Sequence, residues 1–216
     1  MIRARVVYGL VLVFWAVTGA PAAAAADAAA GKAAFAVCAA CHGQQGEGIM
    51  AMNAPKLAGQ EGWYIARQLE SYRNGLRGTA GGDAYGAQMR PMAMAVSDPA
   101  AVANLIAYVE SLPLADSPPT VTGDIAAGRT GYMVCAACHG QKAEGNESMA
   151  APRLAGQNDW YLVRQLHNYR KGLRGYSPKD IYGNQMKPMA TIILRTWGKH
   201  ILPFMPIMKE KVKKVL

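Results

Sequence analysis

Residues 31–93 align with residues 128–190 at a constant offset of 97, without a gap, and 37 of the 63 positions are identical. This duplication limits the folds open to the chain before any single residue is weighed. Two copies are too few for a solenoid, whose units need three or more neighbours to bury a continuous core. The chain therefore reads as two tandem globular domains. Pro55-Lys56-Leu57-Ala58-Gly59-Gln60 returns as Pro152-Arg153-Leu154-Ala155-Gly156-Gln157, and Trp63-Tyr64 as Trp160-Tyr161. Arg67-Gln68-Leu69 returns as Arg164-Gln165-Leu166, and Gln88-Met89-Arg90-Pro91-Met92 as Gln185-Met186-Lys187-Pro188-Met189.

Each copy has the same coarse layout. An alanine-rich helix over 28–38 leads into the first cysteine pair, and Gly43, Gly46 and Gly48 mark a loop. Ile65, Leu69 and Tyr72 carry helical spacing through 61–74, with Gly75 as the stop. A Gly-rich loop is expected from there to Met89. In the first copy Ser97 reads as an N-cap with Pro99 in the first helical turn. Val102, Leu105, Ile106 and Val109 then follow at i, i+3, i+4, i+7, one buried face. Residues 112–123, with Pro113, Pro118 and Pro119, form a linker. No run has strand alternation, so the expected class is all-α.

All four cysteines lie in the repeat, as Cys38-Ala39-Ala40-Cys41-His42 and Cys135-Ala136-Ala137-Cys138-His139. C-x-x-C-H is the attachment signature of c-type haem. The two thiols lie about one helical turn apart and can add to the two vinyl groups, and the next residue brings an imidazole under the iron. Two covalently attached haem c groups are expected, with His42 and His139 as iron ligands and Cys38, Cys41, Cys135 and Cys138 as anchors. A thioredoxin-like dithiol would need a βαβ pattern, which is absent, and zinc would need ligands from distant domains. A copy of under 100 residues has little core of its own, so the flat apolar haem is expected to fill that role.

The sixth iron position separates electron transfer from catalysis, and a methionine sulfur there closes the site and raises its potential. Met89 and Met92 lie 47 and 50 residues after His42, and Met186 and Met189 lie the same distances after His139. Spacing alone leaves the choice open. Met50, Met52, Met94, Met133 and Met149 read as core fillers. His167 stands where the first copy has Glu70 and reads as a surface residue. Trp63, Trp160, Tyr64 and Tyr161 are expected to pack against haem. Arg67, Arg164, Arg77 and Arg174 are candidates for pairing with haem propionates or for a solvated helix face.

The amino terminus reads as a secretory signal over 1–26: basic Arg3 and Arg5, an apolar run over 6–17, then Gly19, Pro21 and an alanine tract. That run is short of the roughly 20 residues that span a bilayer, so cleavage and export to the periplasm are expected. The formal charge of +9 is unevenly placed. Residues 191–216 hold Arg195, Lys199, Lys209, Lys211, Lys213 and Lys214 against Glu210, while residues 27–190 hold 15 basic and 13 acidic groups. Four propionates would turn that body slightly acidic, which argues against nucleic acid as a partner.

The 27–190 stretch resembles the dihaem class I cytochromes c of the c-four type: C-x-x-C-H, a P-[KR]-L-A-G-Q run, then a methionine some eight residues before a Ser/Asp helix start. Met89 lies eight before Ser97, so the resemblance favours Met89, and by the repeat Met186, over Met92 and Met189. It also implies that the carbonyls of Pro55 and Pro152 receive the axial histidines' Nδ1–H. It implies two cytochrome c domains (27–112 and 124–190, joined by 113–123), packed with their haems close enough for intramolecular transfer. In that family the last helix packs across the first. Here the repeat stops after Ala190, and Pro203 and Pro206 forbid one continuous helix in the basic tail at 191–216. The tail is too short to span a membrane; its end leaves a peripheral membrane association open.

The expected function is that of a periplasmic carrier of single electrons. It would take them from a quinol-oxidising complex and pass them to a terminal oxidase or reductase, with no enzyme activity of its own. The rivals are a haem subunit of a dehydrogenase complex and a dihaem peroxidase-like enzyme with one open iron. The shared Met-x-Pro-Met stretch argues against the second. A haem-based gas sensor is a weaker option, with no signalling domain in view.

Overall fold

A computed structural model describes residues 25–114 and 117–196. The expected signal up to residue 24 and the tail beyond Thr196 lie outside the described residues. Within them the chain is helical, in the order α1 (Ala28–His42), α2 (Gly62–Arg73), α3 (Ala84–Ala95), α4 (Pro99–Ser111), α5 (Ile125–His139), α6 (Asp159–Arg170) and α7 (Ile181–Thr196). Short 3-10 turns sit at Met50–Met52 and Glu147–Met149. Extended pairing among the described residues is limited to the isolated bridges Ile49–Ala54 and Asn146–Ala151. The all-α expectation holds.

Aspartates start most of these helices. Asp27 accepts from the amides of Ala29 and Ala30 at 2.8 and 3.2 Å, and Asp124 does the same for Ala126 and Ala127 at 2.8 and 3.0 Å. Both satisfy donors that the first helical turn leaves open. Gly43 and Gly140 end α1 and α5 at φ 87° and 85°, a region that costs a residue with a Cβ. α1 thus encloses the whole Cys38–His42 motif, rather than ending at residue 38 as its composition suggested. The Gly-rich loop is also shorter than expected: α3 begins at Ala84, because Asp83 accepts from Gly86 N at 3.0 Å and opens a helix that carries Met89. Asp98, not Ser97, caps α4, through a 2.8 Å bond from Ala101 N, with Pro99 at the first helical position.

Each unit has its own core. In the first, Phe35, Leu69, Tyr72, Val102, Leu105 and Val109 are buried together. In the second, Tyr132, Leu162, Leu166, Tyr169 and Ile193 are. α1 and α4 pack tightly in the first unit: a Cβ on Gly31 would collide with the Asn104 carbonyl. No described helix occupies the corresponding place over α5. α7 instead continues past Ala190 and brings Ile193 into the core.

The units meet across an approximate two-fold axis. Gln60 Nε2 donates to Arg153 O at 3.3 Å, and its equivalent Gln157 Nε2 donates to Lys56 O at 2.9 Å. Arg67 donates to Ala150 O at 2.7 Å, and Arg164 to Asn53 O at 3.2 Å. Thr79 and Tyr176, which occupy the same place in the repeat, meet each other at 2.6 Å between hydroxyls. The axis passes there.

Candidate functional site

The end of α1 and the loop after it build the first half of the site, and α5 with its loop builds the second. His42 Nδ1 donates to Pro55 O at 2.7 Å, and His139 Nδ1 donates to Pro152 O at 2.7 Å. The loops reach this position because the amides of Leu57 and Ala58 both bond to Gly46 O, and those of Leu154 and Ala155 to Ala143 O. Each ring is thereby held in the tautomer that leaves Nε2 with its lone pair free to bind a metal. Burial pushes the basicity of both imidazoles down, and the bond to the proline carbonyl opposes this only in part. A neutral ring is what a metal needs.

One cavity takes in both halves. Its lining includes Cys38, Cys41 and His42 from α1, Met89 and Met92 from α3, Cys135 and His139 from α5, and Met186 from α7. Cys138 is exposed, one helical turn beyond Cys135. Burial pushes the Cys38 thiol up and the Cys135 thiol to about 11. Met89 and Met186 are partly buried and pack against the two cores. Met92 is 44 % exposed, and Met189 is absent from the lining. The donor set fits a covalent haem in each unit: two thiols one turn apart, an oriented imidazole with a free Nε2, and a thioether donor lining the same cavity.

Several expected roles change. Met50, Met52, Met94, Met133 and Met149 are all exposed, not core fillers. The buried face of α1 is set by Phe35 and Ala39 and that of α5 by Tyr132 and Ala136, so Met133 points away. Tyr64 and Tyr161 line the cavity, but Trp63 and Trp160 do not. The tryptophans instead carry guanidinium groups, Arg67 at 4.8 Å from the Trp63 ring and Arg164 at 5.1 Å from the Trp160 ring. His167 is a partly exposed helix residue beside Arg170, as expected. Arg77 and Arg174 are buried where the units meet. The sequence reading missed Gln68 and Gln165, which bind those arginines. Their signal was present: both glutamines are kept between copies while Glu70 and Ser71 become His167 and Asn168.

Comparisons with known proteins agree with this geometry. The family model described as Cytochrome c matches residues 28–113 and again 125–196. Cytochrome c4 of Azotobacter vinelandii is 37% identical over 165 residues, covering 70% of this chain and 76% of the relative. The crystal structure of reduced recombinant cytochrome c4 from Pseudomonas stutzeri superposes with a TM-score of 0.62 at 28% identity, over 86% of this chain and 98% of that one. A thiosulfate dehydrogenase from Marichromatium purpuratum superposes with a TM-score of 0.66 at 27% identity, over 82% of this chain. This chain spans 39% of the length of that enzyme.

Proposed function

Because the chain belongs to the cytochrome c family as a dihaem electron-transfer protein of the c4 type, we propose that it works in the periplasm as a mobile single-electron carrier with both irons closed by methionine. When bound, each haem supplies a one-electron Fe(III)/Fe(II) couple. His42 and Met89 would hold the iron of the first haem, and His139 and Met186 that of the second. Cys38, Cys41, Cys135 and Cys138 form the thioether anchors. Pro55 and Pro152 fix the histidine rings through their carbonyls, so that neither ring turns when the charge on the iron changes. The domains are residues 27–112 and 124–190, with 113–123 as the linker.

The observation that carries this reading is the matching place of Met89 and Met186 in the two units. Each has one partly buried methionine packed on its core and lining the cavity with the axial histidine. A peroxidase-like division of labour would call for one site that differs. Redox proteins are the partners; a quinol-oxidising complex suits the donor role and a terminal oxidase or reductase the acceptor role. Carbon monoxide added to the dithionite-reduced protein tests the reading through the visible spectrum. No change is expected, and stable binding at either haem overturns it.

The likeness to a thiosulfate dehydrogenase favours one second reading, a haem subunit of a dehydrogenase complex. Copurification from native cells separates the two: a carrier leaves the column alone, a subunit with its enzyme.

A further inference from the structure

Arg77 and Arg174 are 6% and 5% exposed and occupy equivalent places in the repeat. Arg77 Nη1 donates to Gln68 Oε1 at 2.6 Å, and Arg77 Nη2 to Gln165 Oε1 at 3.5 Å. Arg174 Nη1 donates to Gln165 Oε1 at 2.9 Å, and Arg174 Nη2 to Gln68 Oε1 at 3.3 Å. Each glutamine oxygen is therefore shared by both arginines, and each arginine spans both units. The four side chains close a ring across the two-fold axis.

The ring is buried and short of negative charge. Each guanidinium lies 4.4 Å from the centre of a buried tyrosine ring, Tyr72 for Arg77 and Tyr169 for Arg174. The glutamine partners of both arginines are neutral, Arg174 also hydrogen-bonds the buried Tyr64 phenol, and both Nε atoms are buried without a partner. An arginine does not escape this cost by losing its proton. Two like charges buried side by side, each with an unused donor, call for an anion. Both arginines and both glutamines line the cavity that contains His42 and His139. Given the two haems of the proposed function, on which this inference rests, propionates are the anions that cavity would bring.

We propose that the Gln68–Arg77–Gln165–Arg174 ring is a shared electrostatic seat for both haems, so that a change at any one member moves the reduction potentials of both irons together. Private arginines, one per haem, would shift only the potential of their own unit. Positive charge nearby favours the reduced iron, so loss of one arginine lowers the potentials. Coupling follows from the shared oxygens: removing Arg77 leaves Gln68 bound to Arg174 alone and frees Gln165 from one of its two donors.

The test is a redox titration of the full-length dihaem protein followed by NMR, with the haem-methyl resonances assigned to each unit. Arg77→Gln is expected to lower both midpoint potentials by comparable amounts, and Arg77→Lys, which keeps the charge, to restore most of the loss. Gln165→Glu places a negative charge in the other unit without removing an arginine and is expected to lower both potentials too. It serves as the second measurement if Arg77→Gln does not fold. A shift confined to one haem, or none at either, overturns the ring. Haem content per chain and the carbon monoxide spectrum separate this from failure of the underlying reading. With two closed haems and a one-sided shift only the ring falls, whereas fewer than two haems or an open iron removes its foundation.

Discussion

The two units begin from nearly the same sequence and finish their folds differently. In the first, Gly62 opens α2, and its amide donates to Glu110 Oε1 on α4 at 3.0 Å. A Cβ at Gly62 would press on the side chains of Glu110 and Ile106, so α4 approaches this helix start closely. In the second, the same place holds Asp159, 1% exposed. Its carboxylate accepts from Thr120 N, Thr120 Oγ1 and Val121 N at 2.6, 2.6 and 2.8 Å, and from Trp160 N at 2.7 Å. Where one unit is capped by its last helix, the other is capped by the linker that delivers it. One residue difference goes with a different way of closing the same helix start.

Removing haem should break this comparison most. Without its haem the first unit still has α1 packed on α4, whereas no described helix covers α5. Cys135→Ser with Cys138→Ser is therefore expected to lose more far-UV ellipticity than Cys38→Ser with Cys41→Ser. Equal losses would mean that α4 adds nothing to the first unit's independence. Next in size, Gly31→Ala drives a methyl group into the Asn104 carbonyl and should destabilise by about 1–3 kcal/mol in denaturant titration. Asp159→Ala leaves several donors open and should cost about 2–3 kcal/mol. Glu110→Ala, its counterpart, removes one partly exposed acceptor and should cost about 1 kcal/mol. The ratio of these last two measures how much more tightly the linker is held than the helix.

A smaller effect separates Glu61 from its equivalent Asn158. Both accept an amide from the other unit, Arg153 N at 2.9 Å and Lys56 N at 2.9 Å. Burial raises the Glu61 carboxyl above its ordinary value, opposed in part by the Arg153 amide and charge. The folded state then holds its proton more tightly than the unfolded one, so this contribution is fully present below about pH 4.5 and is lost as pH rises through the raised folded value. Glu61→Gln should remove that slope and leave stability at neutral pH equal to wild type or above it. A thermal-denaturation series over pH checks this, and an unchanged slope would place the titration elsewhere.

Much of this was legible in the residues themselves. The repeat, the helical spacing of Ile65, Leu69 and Tyr72, and the C-x-x-C-H pairs follow from local chemistry written along the chain. The start of α3 was hidden because Gly81 and Gly82 read as loop while Asp83, the cap, looked like part of it. The exposed methionines were misjudged because hydrophobicity states a preference and not a side of the helix. The pairing of Gln68 and Gln165 with both arginines was out of reach for another reason. It depends on which face of α2 meets α6, and the period of a single helix does not encode that.

The reciprocal contacts between the units have a consequence for ancestry. When Gln60 reaches Arg153 and Gln157 reaches Lys56, the surface each unit offers is complementary to itself, as in an isologous homodimer. A lone ancestral copy of either half would have carried both sides of that contact. Joining two such copies end to end replaces a bimolecular encounter with a tethered one and raises the local concentration of the partner. It also frees the halves to drift apart. An acidic residue at 61 and an amide at 158 are a pairing that no symmetric dimer of identical chains could have tried.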